Sequence, residues 1–277
     1  MNQPVTDVIR RRYSCRRYDG RPLTAAKQEL LREYLAANTA GPFATPFRFA
    51  LAAATDDDRQ ALKGLGTYGL IRGAAGYIIG AAGSGPHDLE DFGYLMEQAV
   101  LYATAAGLGT CWLGGTFTKS GFAGKIAATG GETVPAVVAV GNPPAGDQPT
   151  RPRLPADQLF FAGRFGQPLA PGQAGPYAGP LEMVRLAPSA SNKQPWRIIR
   201  ADDAWHFYLA RTKGYGKGTF IYRLLGLADL QRVDMGIAMC HFALAAGELG
   251  LAGRWAVADP GLAAPGAADY VVSWLAG

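Results

Sequence analysis

The chain has 277 residues, of which 48% are hydrophobic and 18% are charged. This composition excludes an intrinsically disordered protein and is typical of a globular protein with a large interior, built as one large domain or two of ordinary size. The net charge is +5, and six arginines between residues 10 and 21 exceed that total, so the surplus is local. Such a cluster attracts nucleic acid, anionic lipid or a single phosphate group.

The cysteines and the apolar segments indicate the cellular setting. Cys15, Cys111 and Cys240 are too few and too scattered for a disulfide framework or a zinc site. The first ten residues reach a charge without an apolar core segment, so no signal peptide is expected. Polar and charged residues interrupt the longest apolar runs, which predicts no transmembrane helix. We therefore expect a cytoplasmic protein that does not enter a membrane.

Helices and strands alternate along the first half. Helices are predicted where apolar residues recur at helical spacing: a short basic helix within 5–18, then 24–37, 56–63, a long helix from about 91, and 119–128. Strands are predicted for four short apolar runs: 47–54, 75–82, 111–113 and 136–140. Five prolines between residues 143 and 155 then exclude regular structure.

The long helix and the strand after it occur twice. Residues 91–112 match residues 234–255 without a gap at eight of 22 positions, in a register of 143 residues. The matched pairs are Asp91 and Asp234, Gly93 and Gly236, Met96 and Met239, Leu101 and Leu244, Ala103 and Ala246, Gly107 and Gly250, Leu108 and Leu251, and Trp112 and Trp255. This predicts an internal duplication. In the first copy Asp91 or Asp88 is expected to cap the helix, and Gly107 to end it.

Small residues on both copies let two backbones approach closely, so we expect copy one to pack on copy two about a pseudo-twofold axis, as in a homodimer. The alternative is two unrelated alanine-rich core helices. The second half repeats the order of the first, with Pro195–Ile198 mirroring Pro46–Phe49, Lys213–Gly216 mirroring Lys63–Gly66, and Tyr270–Trp274 mirroring 136–140. We place the joint near residue 166, which predicts an N-terminal lobe 1–165 and a C-terminal lobe 166–277 sharing one core. Strands interleaved with helices in both halves predict an α+β protein.

Three stretches carry groups suited to binding an anion. Arg12 and Ser14 project with the same period where a helix passes into extended structure, so both can reach one phosphate. Arg151 and Arg153 sit in a proline-fixed loop that can add two cations. Residues 187–196 form a polar turn ahead of a strand, whereas their counterpart, 38–47, has lost that polarity. A solvated basic arm remains an alternative explanation for the arginines near the N-terminus.

Four motifs together resemble the nitroreductase family of FMN enzymes. They are Arg12-x-Ser14-x-Arg16-x-Tyr18, the run from Gly107 to Gly115, Arg151-x-Arg153-Leu154-Pro155, and Ala187-Pro188-Ser189-x-x-Asn192-x-Gln194-Pro195-Trp196. The closer match is the single-chain branch, in which two subunit-like lobes are fused. The resemblance spans nearly the whole chain and implies a three-layer α/β/α sandwich of two interlocked lobes. Because the arginine motifs occur only in the first half and the polar turn only in the second, it implies one FMN per chain.

The resemblance also implies roles for single residues. Arg12, Ser14, Arg151 and Arg153 would hold the phosphate and ribityl end of FMN, and Arg16 would face the pyrimidine edge of the flavin. The turn would cover the ring and the ribityl chain with four residues: Pro188, Ser189, Ala190 and Asn192. The backbone N–H groups of Gly114 and Gly115 would point at flavin N5. Tyr13 stands where the family often has a second basic residue, and a further basic contact is left open between Lys63 and Arg72.

The implied activity is hydride transfer from NAD(P)H to the flavin and then to a nitroaromatic, a quinone or a similar small electrophile, with no catalytic side chain. The expected partner is a small-molecule acceptor, and the chain would act as a monomer with an internal pseudo-dimer, open to further association. One alternative is a flavin-binding protein without reductase turnover. Another, a nucleic-acid module, is disfavoured because the basic arm contains few aromatic residues.

Other patterns in the sequence favour no competing site. The run Gly64-Leu65-Gly66-Thr67-Tyr68-Gly69 matches a dinucleotide-binding fingerprint but lacks the buried strand that should precede it. His87, His206 and His241 are dispersed, so the sequence predicts neither a metal site nor a Ser/His/Asp triad.

Overall fold

The computed structural model describes residues 3–55, 60–146, 149–213, 228–262 and 268–277. Within these ranges the chain folds into helices and two sheets, which confirms the predicted α+β class. The helices are α1 Val5–Arg11, α2 Ala25–Ala37, α3 Asp88–Ala105, α4 Lys119–Lys125, α5 Ala178–Leu186 and α6 Leu230–Glu248. Short 3-10 helices cover Gln60–Leu62, Ala156–Gln158, Gly175–Tyr177 and Ala190–Asn192.

The two sheets follow the same path through their halves of the chain. The first contains β1 Phe47–Ala53, β2 Gly76–Gly83, β3 Gly109–Leu113, β4 Glu132–Thr133 and β5 Val137–Gly141. The second contains β6 Phe160–Ala162, β7 Trp196–Ala201, β8 Ala204–Leu209, β9 Gly253–Ala256 and β10 Asp269–Ala276. The strand orders are β1-β2-β5-β3 and β6-β7-β8-β10-β9. Strand β4 pairs with β2 outside this order. Without β4 and β6, the two orders match strand for strand, and these neighbours are all antiparallel. Shared topology is what a duplication predicts.

Strand β6 was not predicted. It lies before the predicted joint at residue 166 but pairs in parallel with β7, the first strand of the second half's hairpin. The last residues of the first half therefore extend the sheet of the second half.

Helices α3 and α6, the duplicated pair, cross at the centre of the molecule. Gly93 and Gly236 lie at the crossing, where a Cβ on Gly93 would collide with the carbonyl of Val233 and a Cβ on Gly236 with the carbonyl of Glu90. Each helix thus needs a residue without a side chain at the same register position. The two helices approach as closely as their small residues suggested.

The predicted cap of α3 is wrong. The helix begins at Asp88 after His87, and within the described ranges the N-cap residue His87 makes no capping side-chain hydrogen bond. Asp91 lies inside the helix instead, where its carboxylate accepts the backbone N–H groups of Phe43 and Thr45. It therefore holds the loop that precedes β1.

The main core lies between the two sheets and contains the central helices. Ile78 and Val138 from the first sheet, and Ile198 and Phe207 from the second, belong to one buried cluster with α3 and α6. The opposite face of the first sheet is covered by Phe122 of α4 and its neighbours, so this sheet has helices on both faces. Among the helices of the described ranges, none is both long enough and apolar enough to cross a bilayer.

Two predicted segments fall partly outside the described residues. Of the helix predicted near 56–63, residues 56–59 are not described and Gln60–Leu62 forms a 3-10 helix. Of Lys213–Gly216, which was predicted to mirror Lys63–Gly66, only Lys213 is described.

Candidate anion-binding cleft

A cleft of about 710 Å³ lies where the end of α1, the start of β3, the loop after residue 148 and the turn after α5 meet. Its walls come from both halves of the chain. The first half contributes Ile9, Arg10, Arg11, Arg12, Tyr13, Ser14, Arg16, Thr104, Gly107, Leu108, Gly109, Thr110, Pro143, Pro149, Thr150, Arg151 and Arg153. The second half contributes Leu186, Pro188, Ser189, Ser191 and Asn192.

Eight of the eleven residues predicted from the motifs meet in this cleft. They are Arg12, Ser14, Arg16, Arg151, Arg153, Pro188, Ser189 and Asn192. The other three do not line it. Gly114 packs against Leu230 at the start of α6, Gly115 is exposed, and the Ala190 N–H donates to Asp234 Oδ1 at 2.9 Å. The cleft is lined instead by the beginning of the glycine motif, from Gly107 to Thr110. The roles predicted for all eleven stay predictions.

The N-terminal segment reaches the cleft by pairing with β3. Ser14 forms a bridge with Thr110, and the Cys15 N–H donates to the Thr110 carbonyl at 2.8 Å. Gly109 permits this approach, because a Cβ there would lie 2.9 Å from the Cys15 sulfur. The carbonyl of Arg16 accepts the N–H of Arg72. Neither Arg72 nor Lys63 lines the cleft, and the further basic contact stays unassigned.

Arg12 forms the floor of the cleft. Its side chain is 4% exposed, and its Nε is buried without a hydrogen-bond partner in the described structure. Glu97 Oε1 lies 3.9 Å from that Nε. Burial lowers the pKa of the Arg12 guanidinium, while Glu97 acts in the opposite direction. A buried cation with an unused donor is suited to receive an anion.

Arg153 joins the two walls. Its Nη1 donates to Asn192 Oδ1 at 2.5 Å and its Nη2 to the Leu186 carbonyl at 2.9 Å. Asn192 Nδ2 in turn donates to the Pro152 carbonyl at 2.9 Å. Burial, together with the nearby charges of Arg12 and two further arginines, lowers the pKa of Arg153 to about 10. Arg153 therefore fastens the arginine loop to the polar turn, a contact that the motifs did not predict.

The polar turn is held in an unusual backbone conformation. Ser191, Asn192 and Gln194 have φ values of 51°, 56° and 49°, in the left-handed region that non-glycine residues rarely adopt. Side chains fix this shape: Ser189 Oγ accepts the N–H of Gln194, and Gln194 Oε1 accepts the N–H of Leu154. Strain of this kind persists where the surroundings over-determine the backbone, and it is concentrated at binding sites.

The charge of the cleft has one sign. Six arginines line it, and no Asp or Glu of the described residues does. Arg12 is buried and Arg153 half-buried, whereas the other four are exposed. Four of the six arginines between residues 10 and 21 therefore line the cleft: Arg10, Arg11, Arg12 and Arg16. Thr104, also in the wall, was missed because nothing distinguishes it from an ordinary residue at a helix end.

The donors present fit a flavin mononucleotide. Arginines and a hydroxyl are the groups that bind a phosphate, and the apolar walls from Ile9, Leu108, Leu186 and Pro188 suit a ring. The volume lies within the roughly 300–1,000 Å³ common for small-molecule sites.

Comparisons with known proteins agree with the motifs. A family model described as "Putative TM nitroreductase" matches residues 4–246. A putative nitroreductase from Thermotoga maritima msb8 has a similar structure, with 20% identity and a TM-score of 0.62 over 99% of this chain and 94% of that one. This likeness shows the nitroreductase fold. No curated protein matches the chain.

Two further solved structures match about half of this chain. A putative NADH dehydrogenase/NAD(P)H nitroreductase from Bacteroides thetaiotaomicron VPI-5482 has 20% identity and a TM-score of 0.44, covering 55% of this chain and 93% of that one. A putative nitroreductase from Desulfovibrio desulfuricans, in complex with FMN, has 24% identity and a TM-score of 0.39, covering 55% and 94%.

Proposed function

The chain belongs to the nitroreductase family whose family model, "Putative TM nitroreductase", matches residues 4–246, and we propose that it is an FMN-dependent oxidoreductase. The proposed reaction takes hydride from NADH or NADPH and delivers it to a nitroaromatic, a quinone or a similar electrophile. One FMN is bound per chain. The observation that carries the proposal is a cleft in which arginines of the first half meet the polar turn of the second.

The residues of the cleft divide into anchors and supports. Arg12, Ser14 and Arg151 line the cleft, and in this proposal they hold the phosphate by charge and hydrogen bonds. Arg153 positions the turn by its bonds to Asn192 and Leu186. The exposed Arg16 adds positive charge, which stabilises negative charge that develops on a bound ring.

When bound, FMN supplies the group that accepts and donates hydride, so no side chain is needed as nucleophile or base. The protein's contribution is to bind, orient and surround the reactants. The rigid turn and the buried Arg12 serve this purpose, because neither has to reorganise when the ligand enters.

An absorption spectrum tests the proposal. Purified protein is incubated with FMN, freed of excess, and titrated with NADH and with NADPH without oxygen. We expect a yellow protein holding one FMN per chain that bleaches with at least one donor, and regains colour when a quinone or nitroaromatic is added. A protein that stays colourless after incubation with FMN would refute the proposal. A yellow protein that neither donor bleaches would instead be a flavin-binding protein without reductase turnover.

A further inference from the structure

Glu97 connects the central helices to the floor of the cleft. It lies on α3 and is fully buried. Its Oε2 accepts the indole N–H of Trp112 on β3 at 2.7 Å, and its Oε1 lies 2.9 Å from Nε2 of His241 on α6. The same Oε1 is 3.9 Å from Arg12 Nε. One carboxyl group thus meets three elements at the base of the cleft.

The hydrogen bonds restrict where protons reside in this cluster. His241 Nδ1 lies 2.9 Å from the Met183 carbonyl, which only accepts, so Nδ1 carries a hydrogen. One further proton must lie between His241 Nε2 and Glu97 Oε1, since two bare lone pairs would otherwise face each other. The pair is therefore either a carboxylate with an imidazolium or two neutral groups. The positive charge of Arg12 and the N–H of Trp112 both favour the carboxylate.

The duplication supplies an internal comparison. In the register of 143 residues, Trp255 corresponds to Trp112, and Cys240 corresponds to Glu97. Trp255 Nε1 is buried and has no hydrogen-bond partner in the described structure. The indole is thus present in both copies, but the acid only in the copy that packs beside Arg12.

Helix packing does not account for Glu97. Burying an ion pair removes both charges from water, a cost that their attraction must offset, and an apolar residue often packs as well. The second copy packs its helix with Cys240 in the equivalent place, fully buried. The acid therefore has a use specific to its side of the molecule, where it meets both His241 and Arg12.

We propose that Glu97, ionised and paired with His241, is a positioning residue that holds Arg12 at the floor of the cleft, ready to receive a phosphate. This inference rests on the proposed function in taking that phosphate to belong to FMN. Since the Glu97–His241 pair is neutral in sum, Arg12 keeps its charge for the ligand while its guanidinium is fixed in place.

The variant Glu97→Gln tests the inference with little disturbance. The amide accepts from Trp112 and donates to a neutral His241, so both hydrogen bonds and the total charge are kept while the carboxylate is lost. Binding of three probes is measured: FMN, riboflavin, which lacks the phosphate, and inorganic pyrophosphate. The control is Cys240→Ala, at the matching position of the other copy. Circular dichroism checks that Glu97→Gln is folded. If it is not, His241→Gln, which lowers the total charge of the cluster by one, is measured in its place.

We expect Glu97→Gln to weaken the binding of FMN and of pyrophosphate about tenfold, which corresponds to about 1.4 kcal/mol. Riboflavin binding should change less than about twofold. Cys240→Ala should change none of the three. Unchanged FMN binding in Glu97→Gln, or an equal loss of FMN and riboflavin, overturns the inference, because a purely structural acid would not separate them. If the wild type binds neither flavin, the proposed function fails, but pyrophosphate binding still tests the inference. Weaker pyrophosphate binding by Glu97→Gln than by the wild type supports the positioning of Arg12. Equal pyrophosphate binding by the two proteins, or none by either, overturns the inference.

Discussion

Asp91 and Asp234 occupy the same position in the two copies and hold equivalent loops, but with different numbers of hydrogen bonds. Asp91 accepts two backbone N–H groups, from Phe43 and Thr45, with distances of 2.9 and 2.8 Å. Asp234 accepts one, from Ala190, and its second oxygen is buried without a partner among the described residues. The N–H of Gln194 goes to Ser189 instead. Burial raises the pKa of Asp234 well above its ordinary value.

The pH dependence of stability follows from this difference. A raised pKa in the folded state contributes stability that is complete below the unfolded value, near 4, and is lost as pH rises toward the folded value, at about 1.4 kcal/mol per unit. Asp234→Asn keeps the acceptor for Ala190 and removes the charge. We expect its stability relative to wild type to increase between about pH 4.5 and pH 7, as measured by urea unfolding. A difference that stays constant over this range would contradict the prediction.

Asp91→Asn is the matched contrast. Its amide can accept only one of the two N–H groups and turns an N–H toward the other, so we expect a loss of about 1–3 kcal/mol at pH 7. The same urea experiment measures it. A variant as stable as wild type would show that the two hydrogen bonds do not support the fold.

The polar turn gives a second prediction for single residues. Gln194 accepts the N–H of Leu154 and donates to the Asn192 carbonyl at 3.2 Å, so it ties the turn both to the arginine loop and to itself. We expect Gln194→Ala to lower the free energy of unfolding by about 1–3 kcal/mol. We also expect it to weaken FMN binding, because the left-handed backbone of the turn loses a restraint. Lys193→Ala, an exposed change in the same turn, should alter neither. Titration with FMN and thermal unfolding measure both effects, and equal behaviour of the two variants would argue against a preorganised turn.

At the scale of the elements, the crossing of α3 and α6 permits no side chain at its centre. A Cβ on Gly236 would meet the backbone of Glu90 and Tyr94, neither of which can move without shifting the helix. We expect Gly236→Ala to destabilise the protein by about 3 kcal/mol or more, as overpacking does. Gly247→Ala on the same helix has open space and should stabilise by up to about 1 kcal/mol through helix propensity. Chemical unfolding compares the two, and similar effects of both would mean that the crossing is not tightly packed.

The elements also show what the sequence could predict. The helical and strand periods, and the matching Gly93 and Gly236, predicted the central helices and most strands, because amphipathic spacing and small residues act locally. Strand β6 was missed, since three residues after a proline-rich run have no period. The cap of α3 was wrong because an acid suited to capping is also suited to holding a distant loop, and only tertiary contacts separate the two uses.

The site was predictable where side-chain chemistry is local in sequence. The arginine motifs and the polar turn were recognisable as short patterns, and the fold brings eight of these residues into one cleft. Glu97 was not recognisable: a single acid in a helix gives no signal, and its meaning depends on Trp112, His241 and Arg12 arriving from three other elements. Cooperation between distant residues is what a single sequence does not display.

At the scale of the whole molecule, the two halves share their interior. One buried cluster contains residues of both sheets and both central helices, and β6 carries the end of the first half into the second sheet. Neither half buries this main core alone. We therefore interpret residue 166 as the boundary between two duplicated segments and not as a boundary between two independently folding domains.

This sharing predicts a single cooperative transition. With increasing denaturant, hydrogen exchange read by mass spectrometry should show peptides of β2 and β8 losing protection at the same concentration, although they belong to different sheets. Because the cleft draws its walls from both halves, FMN at a hundredfold excess over its Kd should stabilise both peptides by the same amount, about 2.7 kcal/mol. If β8 stayed protected after β2 had opened, or if FMN protected one sheet alone, the lobes would fold as separate units and the cleft would belong to only one of them.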